Sequence, residues 1–185
     1  YNGLAKSSKD DVYNFIISEL NYCSKTLPQL RPNEMPYKGW VTAYSALALK
    51  AKAAADVNKW DMVLSATDSI VSSNKFALYE DYYQSFKMPG TLSNENLFEL
   101  QYSTASDYVV QSDNWFVHQG PAQIQGATSM NGGWDFMTPS TKIVDLFTSR
   151  NETVRANTTF LKRGETTPEG DLIKDGNTYP VYNGN

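Results

Sequence analysis

An alanine-rich helical pair, running from about Tyr37 to Ser73, constrains this chain more than any other stretch. Its first half reads Tyr37-Lys-Gly-Trp-Val-Thr-Ala-Tyr-Ser-Ala-Leu-Ala-Leu-Lys-Ala-Lys-Ala-Ala-Ala. Apolar residues recur at Trp40, Val41, Tyr44, Leu47, Ala48, Ala51, Ala54 and Ala55, the spacing of a wide buried stripe on one helix. Asp56-Val-Asn-Lys interrupts the period, and Trp60-Asp-Met-Val-Leu-Ser-Ala-Thr-Asp-Ser-Ile-Val restarts it. So short a connection makes the two helices antiparallel neighbours. The methyl side chains of the first let the second approach closely. Both Trp60 and the alanine stripe read as packing chemistry, so the pair is scaffold rather than site.

A chain of 185 residues supports one sizeable core, and its 41% hydrophobic and 19% charged residues are those of a folded domain. The net charge of −4 and the lack of a clustered basic face argue against a nucleic-acid partner. Aromatic residues are abundant, at 12 Tyr, 8 Phe and 4 Trp, more than a core of this size needs. Some are therefore expected at surfaces that stack against a ligand. The single cysteine, Cys23, rules out an internal disulfide and a cysteine-based zinc site, and reads as a small buried hydrophobe. No stretch reaches the roughly 18 apolar residues of a membrane span. With no initiating Met and an abrupt end, the chain reads as an internal piece of a longer protein.

Before the hairpin, a helix is expected from about Lys9 to Thr26, capped by Ser8 with Asp11 in its first turn. Val12, Phe15, Ile16, Leu20, Cys23 and Leu27 form its expected apolar face. The loop from Pro28 to Pro36 holds three prolines in nine residues, so neither helix nor sheet is expected there. After the hairpin, Phe76 and Leu78 read as a short extended segment, and Tyr82 to Phe86 as one or two helical turns. Phe98, Leu100 and Tyr102 alternate with Glu99 and Gln101, the period-two pattern of a half-buried strand over Leu97–Tyr102. Thr138-Pro139 opens a further helix, with Ile143, Val144, Leu146 and Phe147 on its apolar face. Arg155 to Leu161 reads as a strand, and the polar remainder from Gly164 as loop.

The stretch from Ser103 to Met137 is different. It is rich in Ser, Gln, Asn, Gly and aromatic residues, without a sustained period. Long loops of that kind in compact domains tend to be functional. Sugars present apolar C–H faces ringed by hydroxyls, so flat rings beside amides and carboxylates complement them. Such combinations occur at Tyr108 beside Asp107, at Trp115, Phe116 and His118 within Asp113–Gln119, and at Asn131 and Trp134 within Asn131–Asp135. These six residues, Tyr108, Trp115, Phe116, His118, Asn131 and Trp134, are the candidate ligand-binding set. Packing back onto the helices is the competing use of each ring, and it is favoured for Trp134. His118 reads more readily as an ordinary loop histidine, and Tyr79, Tyr82 and Tyr83 as packing residues. Adjacent Trp115 and Phe116 cannot both point inward along an extended loop, so one is expected to be exposed.

Enzymatic readings find less support. Hydrolysis of a glycosidic bond needs two carboxylates a few ångströms apart, yet the Asp and Glu residues are scattered. A nucleophilic triad would depend on the lone His118, and there is no Gly-x-Ser-x-Gly stretch. Gly132-Gly133 is too short for a phosphate loop. Asp171-Leu-Ile-Lys-Asp-Gly lacks the alternating carboxylates of a calcium loop. No catalytic residue, metal or cofactor is expected.

Four segments, in order, resemble the SusD/RagB family of glycan-binding outer-membrane lipoproteins of Bacteroidetes. They are Tyr13-Asn-Phe-Ile-Ile-Ser-Glu-Leu-Asn leading to Leu27-Pro28, and Lys38-Gly-Trp-Val-Thr-Ala-Tyr-Ser-Ala-Leu-Ala-Leu-Lys-Ala-Lys followed by Trp60. Next come Phe76-Ala-Leu-Tyr with Tyr82-Tyr-Gln-Ser-Phe and Asn94-Glu-Asn-Leu-Phe-Glu-Leu-Gln-Tyr-Ser. Last are Gly132-Gly-Trp-Asp-Phe-Met-Thr-Pro, Ile143-Val-Asp-Leu-Phe and Arg155. Trp40 stands where an arginine is more usual. The resemblance covers roughly residues 10–162. It implies a mostly α fold, a tetratricopeptide-like helical-repeat scaffold with a long loop-rich aromatic region and little β. One partial SusD-like domain over 1–185 is expected, with helical scaffold at 10–73, the strand and candidate binding region at 74–137, and a helix with irregular tail at 138–185. Implied too is non-catalytic binding of a glycan at the outer-membrane surface, delivered to a TonB-dependent (SusC-like) transporter. Membrane attachment would be only through a lipid anchor that is not in this chain. Asn151-Glu-Thr and Asn157-Thr-Thr match a glycosylation acceptor pattern that such a bacterial protein would not use. The alternative function is a tetratricopeptide-type adaptor that binds a partner protein, sensitive to helix polar residues such as Lys50 or Lys52.

Overall fold

In the computed structural model, which describes residues 5–101, 139–162 and 181–183, helix α1 spans Lys9–Thr26 as expected. Ser8 caps it: Oγ accepts the Asp11 N–H at 3.1 Å, with Asp10 and Asp11 at the positive end of the helix dipole. Helix α2 is Ala43–Ala55 and α3 is Trp60–Val71. These belong to the first of two compact units, Tyr1–Glu80 with Lys87–Gln101; the second is Asp81–Phe86 with Tyr102–Asn185.

Within the first unit, α2 lies between α1 and α3. The Tyr13 hydroxyl donates to Asp56 Oδ2 at 3.2 Å, and Lys50 Nζ donates to Asn21 Oδ1 at 3.1 Å. The start of α1 therefore meets the end of α2, and the two run antiparallel. Between these ties sits the core of Ile17, Ala53 and Ala54, flanked by Tyr13, Leu20, Val57 and Val63. Ala54 is wholly buried, and the buried set on α2 (Ala43, Tyr44, Ser45, Ala46, Ala51, Ala53, Ala54) spreads around the helix rather than along one stripe. Two packed neighbours require small side chains on both flanks, because helix axes approach more closely where side chains are small. On α3 only Ala66 and Ile70 are buried.

The turns that follow α2 and α3 each use an asparagine. After α2, Asn58 adopts φ +57°, and the Lys59 N–H returns to the Ala54 carbonyl at 2.9 Å. After α3, Asn74 adopts φ +54°. Asparagine tolerates this left-handed conformation better than other side chains with a Cβ.

Several expectations are corrected. The first hairpin helix starts at Ala43, not Tyr37, and Trp40 and Val41 are exposed. Thr42 ends the helix there: its Oγ1 accepts the Ser45 N–H at 3.3 Å, and Ser45 Oγ accepts the Thr42 N–H at 3.1 Å. Ser45 Oγ also donates to the Leu97 carbonyl at 2.7 Å. On α1 the buried stripe is Tyr13, Ile17 and Leu20, rotated from the expected one; Val12, Phe15 and Ile16 are exposed, and Cys23 is half-buried. Trp60 is exposed as well. The Pro28–Pro36 loop contains one 3-10 turn at Pro32–Glu34, where proline occupies a first-turn position whose missing N–H costs nothing.

The expected strand at 97–102 is not formed over its described residues, 97–101. Exposure does alternate there, but with the opposite sense: Leu97 and Glu99 turn inward, Phe98 and Leu100 outward. Glu99 Oε2 accepts the Leu92 N–H at 2.8 Å and a bond from Asn96 Nδ2. Leu92 itself sits at φ +51°, strained for a leucine, so the carboxylate pins an unfavourable turn.

In the second unit, Asp81 Oδ1 accepts the N–H groups of Tyr83 and Gln84 at 3.0 and 3.1 Å, opening the 3-10 turn Gln84–Phe86. Helix α4 is Thr141–Ser149, preceded by Ser140 rather than opened at Thr138-Pro139. Ile143, Val144 and Phe147 are half-buried on it, and Leu146 is exposed. The expected strand from Arg155 divides into helix α5, Val154–Thr159, and strand β1, Phe160–Lys162. Strand β1 pairs antiparallel with β2, Val181–Asn183, placing Phe160 opposite Asn183 and Lys162 opposite Val181. Phe147 meets buried Phe160 edge-to-face at 5.2 Å. The described chain is mostly helical; the aromatic loop lies outside the described residues.

Candidate functional site

Tyr108, Trp115, Phe116, His118, Asn131 and Trp134 all lie outside the described residues. The described part offers three surfaces where a ligand or partner has something to hold.

The first is a groove between α1 and α2, of about 460 Å³, lined by Phe15, Ile16, Leu20, Leu49 and Ala53 with Lys52 and Glu19 at its edge. Phe15 is 65% exposed and Leu49 44%. Its far end is polar. There Lys9 Nζ donates to the Asp56 carbonyl at 3.1 Å and lies 5.4 Å from the Tyr13 ring centroid. The hydrogen bond from Tyr13 to the Asp56 carboxylate, reinforced by that negative charge, raises the phenol above its ordinary value. Of the two lysines that an adaptor was expected to use, Lys52 lines this groove while Lys50 is bound to Asn21.

The second surface is the turn before α2. Tyr37 and Trp40 stack with ring centroids 4.5 Å apart and planes inclined by 30°. Tyr37 covers one face of the indole, yet Trp40 remains 55% exposed, so its other face is open. Gly39, at φ +90°, makes the turn possible, and a Cβ there would lie 2.8 Å from Gln101 Cγ. Its N–H donates to the Pro32 carbonyl at 2.9 Å, and the Ala43 N–H to the Pro28 carbonyl at 3.0 Å. The Glu34 carboxylate holds the loop below by accepting the Arg31 N–H at 2.8 Å and Arg31 Nε at 3.2 Å. Lys75 approaches Glu34 at 3.6 Å, and Arg31 also reaches Asn94. The backbone N–H of Arg31, then its guanidinium and Lys75, hold Glu34 below the usual carboxylate range.

The third is a pocket of about 240 Å³ in the second unit, with Phe147 and Phe160 in its lining and Asn151, Glu152 and Asn157 at its rim. Arg155 commits the Glu152 carboxylate through Nη2 at 2.5 Å, Nε at 2.9 Å and its N–H at 3.1 Å. Those bonds lower Glu152 and raise Arg155. A carboxylate so occupied is structural rather than a free base.

Among the described residues there is no group of three or more His, Cys, Asp or Glu able to hold a metal. No helix there is long and apolar enough to cross a membrane. The Tyr37–Trp40 pair was missed at the sequence level, where Trp40 counted as part of a buried helix. The available signal was Thr42 with Ser45, a reciprocal cap in which serine takes the place more often held by glutamate.

No protein-family model matches the chain, and no curated protein matches it. Solved structures do. Surface glycan-binding protein A from Bacteroides thetaiotaomicron, in complex with laminarihexaose, is similar over 83% of this chain, with 23% identity and a TM-score of 0.69. Surface glycan-binding protein A from Bacteroides fluxus is similar over 95%, with 16% identity and a TM-score of 0.72. A SusD-like protein from Bacteroides fragilis is similar over 91%, with 17% identity and a TM-score of 0.69. The chain spans 35%, 38% and 38% of these proteins respectively. Its fold is therefore SusD-like, and corresponds to rather more than a third of theirs.

Proposed function

We propose that this SusD-like chain is part of a non-catalytic protein that captures oligo- or polysaccharide at the outer-membrane surface and passes it to a TonB-dependent transporter for nutrient uptake. The observation carrying this is the likeness, over 83% of the chain, to a surface glycan-binding protein solved with laminarihexaose. The glycan contacts assigned to this chain are Trp115, Phe116, Tyr108 and Trp134, with His118 and Asn131 as polar partners. Rings of this kind cover the C–H face of a sugar, and amides satisfy its hydroxyls. Capture and handover require no bond cleavage, in keeping with carboxylates that are scattered or, like Glu152, already committed. A lipid anchor would hold the protein to the membrane.

Calorimetry of the chain with a panel of polysaccharides that includes laminarin tests this. One member should bind, and Trp115→Ala should weaken it about tenfold, one stacking contact's worth, with unfolding unchanged. Failure of every polysaccharide, alongside capture of a peptide from an array, would remove the glycan reading.

The groove between α1 and α2 favours a second reading, an adaptor that takes a partner protein. Its aliphatic lining suits a helix face better than a sugar. Lys52→Glu should then reduce peptide capture and leave glycan titrations unchanged.

A further inference from the structure

We propose that Tyr37 and Trp40 form a second sugar-stacking platform, separate in sequence from the 108–134 loop, which takes a neutral hexopyranose unit of a longer glycan. The proposal rests on the glycan reading above, and deepens it.

Three observations lead there. The first is preorganisation. Tyr37 backs the indole of Trp40 at 4.5 Å, leaving the opposite face open. The turn that carries both rings is fixed by the Gly39 and Ala43 backbone bonds and by the buried Thr42–Ser45 cap. Rings that are already ordered lose little freedom when a ligand arrives.

The second is the rim. Gln101 crosses the turn at Gly39; its Nε2 donates to Glu99 Oε1 at 2.7 Å, which leaves its carbonyl oxygen free to accept a hydroxyl. On the same turn the Lys38 ammonium is exposed and makes no ion pair or hydrogen bond. An acceptor and a donor on the turn that carries the indole match the alternating C–H and O–H edges of a pyranose.

The third is contrast with the α1/α2 groove. That surface is lined mainly by Phe15, Ile16, Leu20, Leu49 and Ala53, chemistry suited to another protein's apolar face. The turn instead carries the exposed Lys38 and is met by Gln101 at Gly39, and its Gly39 N–H is bonded to Pro32, in the loop that holds the Arg31–Glu34 ion pair. A flat apolar protein surface placed there would strip water from these charges without replacing it. A sugar, carrying its own hydroxyls, would not.

The test compares Trp40→Ala, Trp40→Phe, Trp115→Ala and Phe15→Ala in the full chain. The probes are laminarin, laminarihexaose and the rest of the polysaccharide panel, followed by calorimetry. For the polymer that binds, Trp40→Ala should lose about fivefold to tenfold in affinity, and Trp40→Phe, which keeps a ring, less than half of that loss on a logarithmic scale. Phe15→Ala, also well exposed but in the groove, should bind as wild type. Loss in both Trp40→Ala and Trp115→Ala supports two contacts on one glycan. Loss in Trp40→Ala alone supports the platform and removes the loop assignment. Loss in Trp115→Ala with wild-type binding by Trp40→Ala overturns the platform while glycan capture stands. Equal losses in Trp40→Ala and Phe15→Ala would indicate a general disturbance of the helical face and also overturn it. No binding by the wild-type chain to any polysaccharide removes both readings together.

Discussion

Helices α1 and α2 lie side by side and use their apolar residues in opposite ways. On α2 they are mostly methyl groups, buried on several flanks at once. On α1 they are large, and Val12, Phe15, Ile16 and Tyr22 face outward while Ile17 alone is fully buried. The difference is the number of neighbours. Helix α2 is packed by α1 and by α3, so its side chains must be small enough for two close approaches. Among the described residues α1 is packed chiefly by α2, with Val63 of α3 reaching the same core, and most of its outer face is left for other use. Burial in a layered helical array follows position in the stack more than hydrophobicity of the residue.

Substitutions separate the two helices. The largest effect should come from Ile17→Ala, which removes the one buried side chain of α1 from the core and should cost about 3 kcal/mol in urea unfolding. Somewhat smaller, about 2 kcal/mol, is the cost expected of Ala54→Leu, which forces a larger side chain between two packed helices. An Ala54→Leu chain of wild-type stability would mean that α2 is not tightly held on both sides. Next comes Ser45→Ala. It leaves the buried Thr42 N–H and the partly buried Leu97 carbonyl without their partner, at about 1–2 kcal/mol, and thermal unfolding should show it.

A weaker effect should appear only in acid. Glu34 titrates below its unfolded value because the Arg31 N–H, the Arg31 guanidinium and Lys75 favour its charged form. The unfolded chain therefore binds the proton more readily. Stability from this clamp is fully present above the unfolded carboxylate range and is lost as pH falls through the depressed folded value. Glu34→Gln should flatten that acid limb, and added salt should shrink it, since the pair is accessible to solvent. The smallest effect belongs to the outer face of α1, where Phe15→Ser should shift stability by no more than about 0.5 kcal/mol. A large loss there would show that the groove is part of the core and not an available surface.

Local signals were read well where they were self-contained. Ser8 with Asp11, Pro28 after Leu27, and the break at Asp56–Lys59 bracket α1 to α3 closely, because caps and breakers act within a few residues of chain. Signals that needed a partner were read less well. α1 carries two overlapping apolar stripes, and only complementarity with α2 selects Tyr13–Ile17–Leu20 over Val12–Ile16–Leu20. Phe98 and Leu100 have a strand's period, but a strand also needs a neighbour, and the backbone there is engaged otherwise, with Leu97 accepting from Ser45. Trp40 was placed inside because the helical period extends back past Thr42. The Thr42–Ser45 cap overrides that period, and it is the reason an open indole faces outward. As for the site, the residue types suited to sugar were legible in the 108–134 stretch, whereas the Tyr37–Trp40 pair emerged only from geometry.

By itself, the sequence determined that this chain is a mostly helical scaffold built on an alanine-rich hairpin, with the Ser8 cap of α1 and the break between α2 and α3 in place. Those properties depend on neighbours in the chain. Tertiary structure alone decided which face of α1 is inside, that a period-two segment would not become a strand, and that Tyr37 and Trp40 would stack in the open. Each of these depends on what lies across from a residue in space, and no local pattern encodes that.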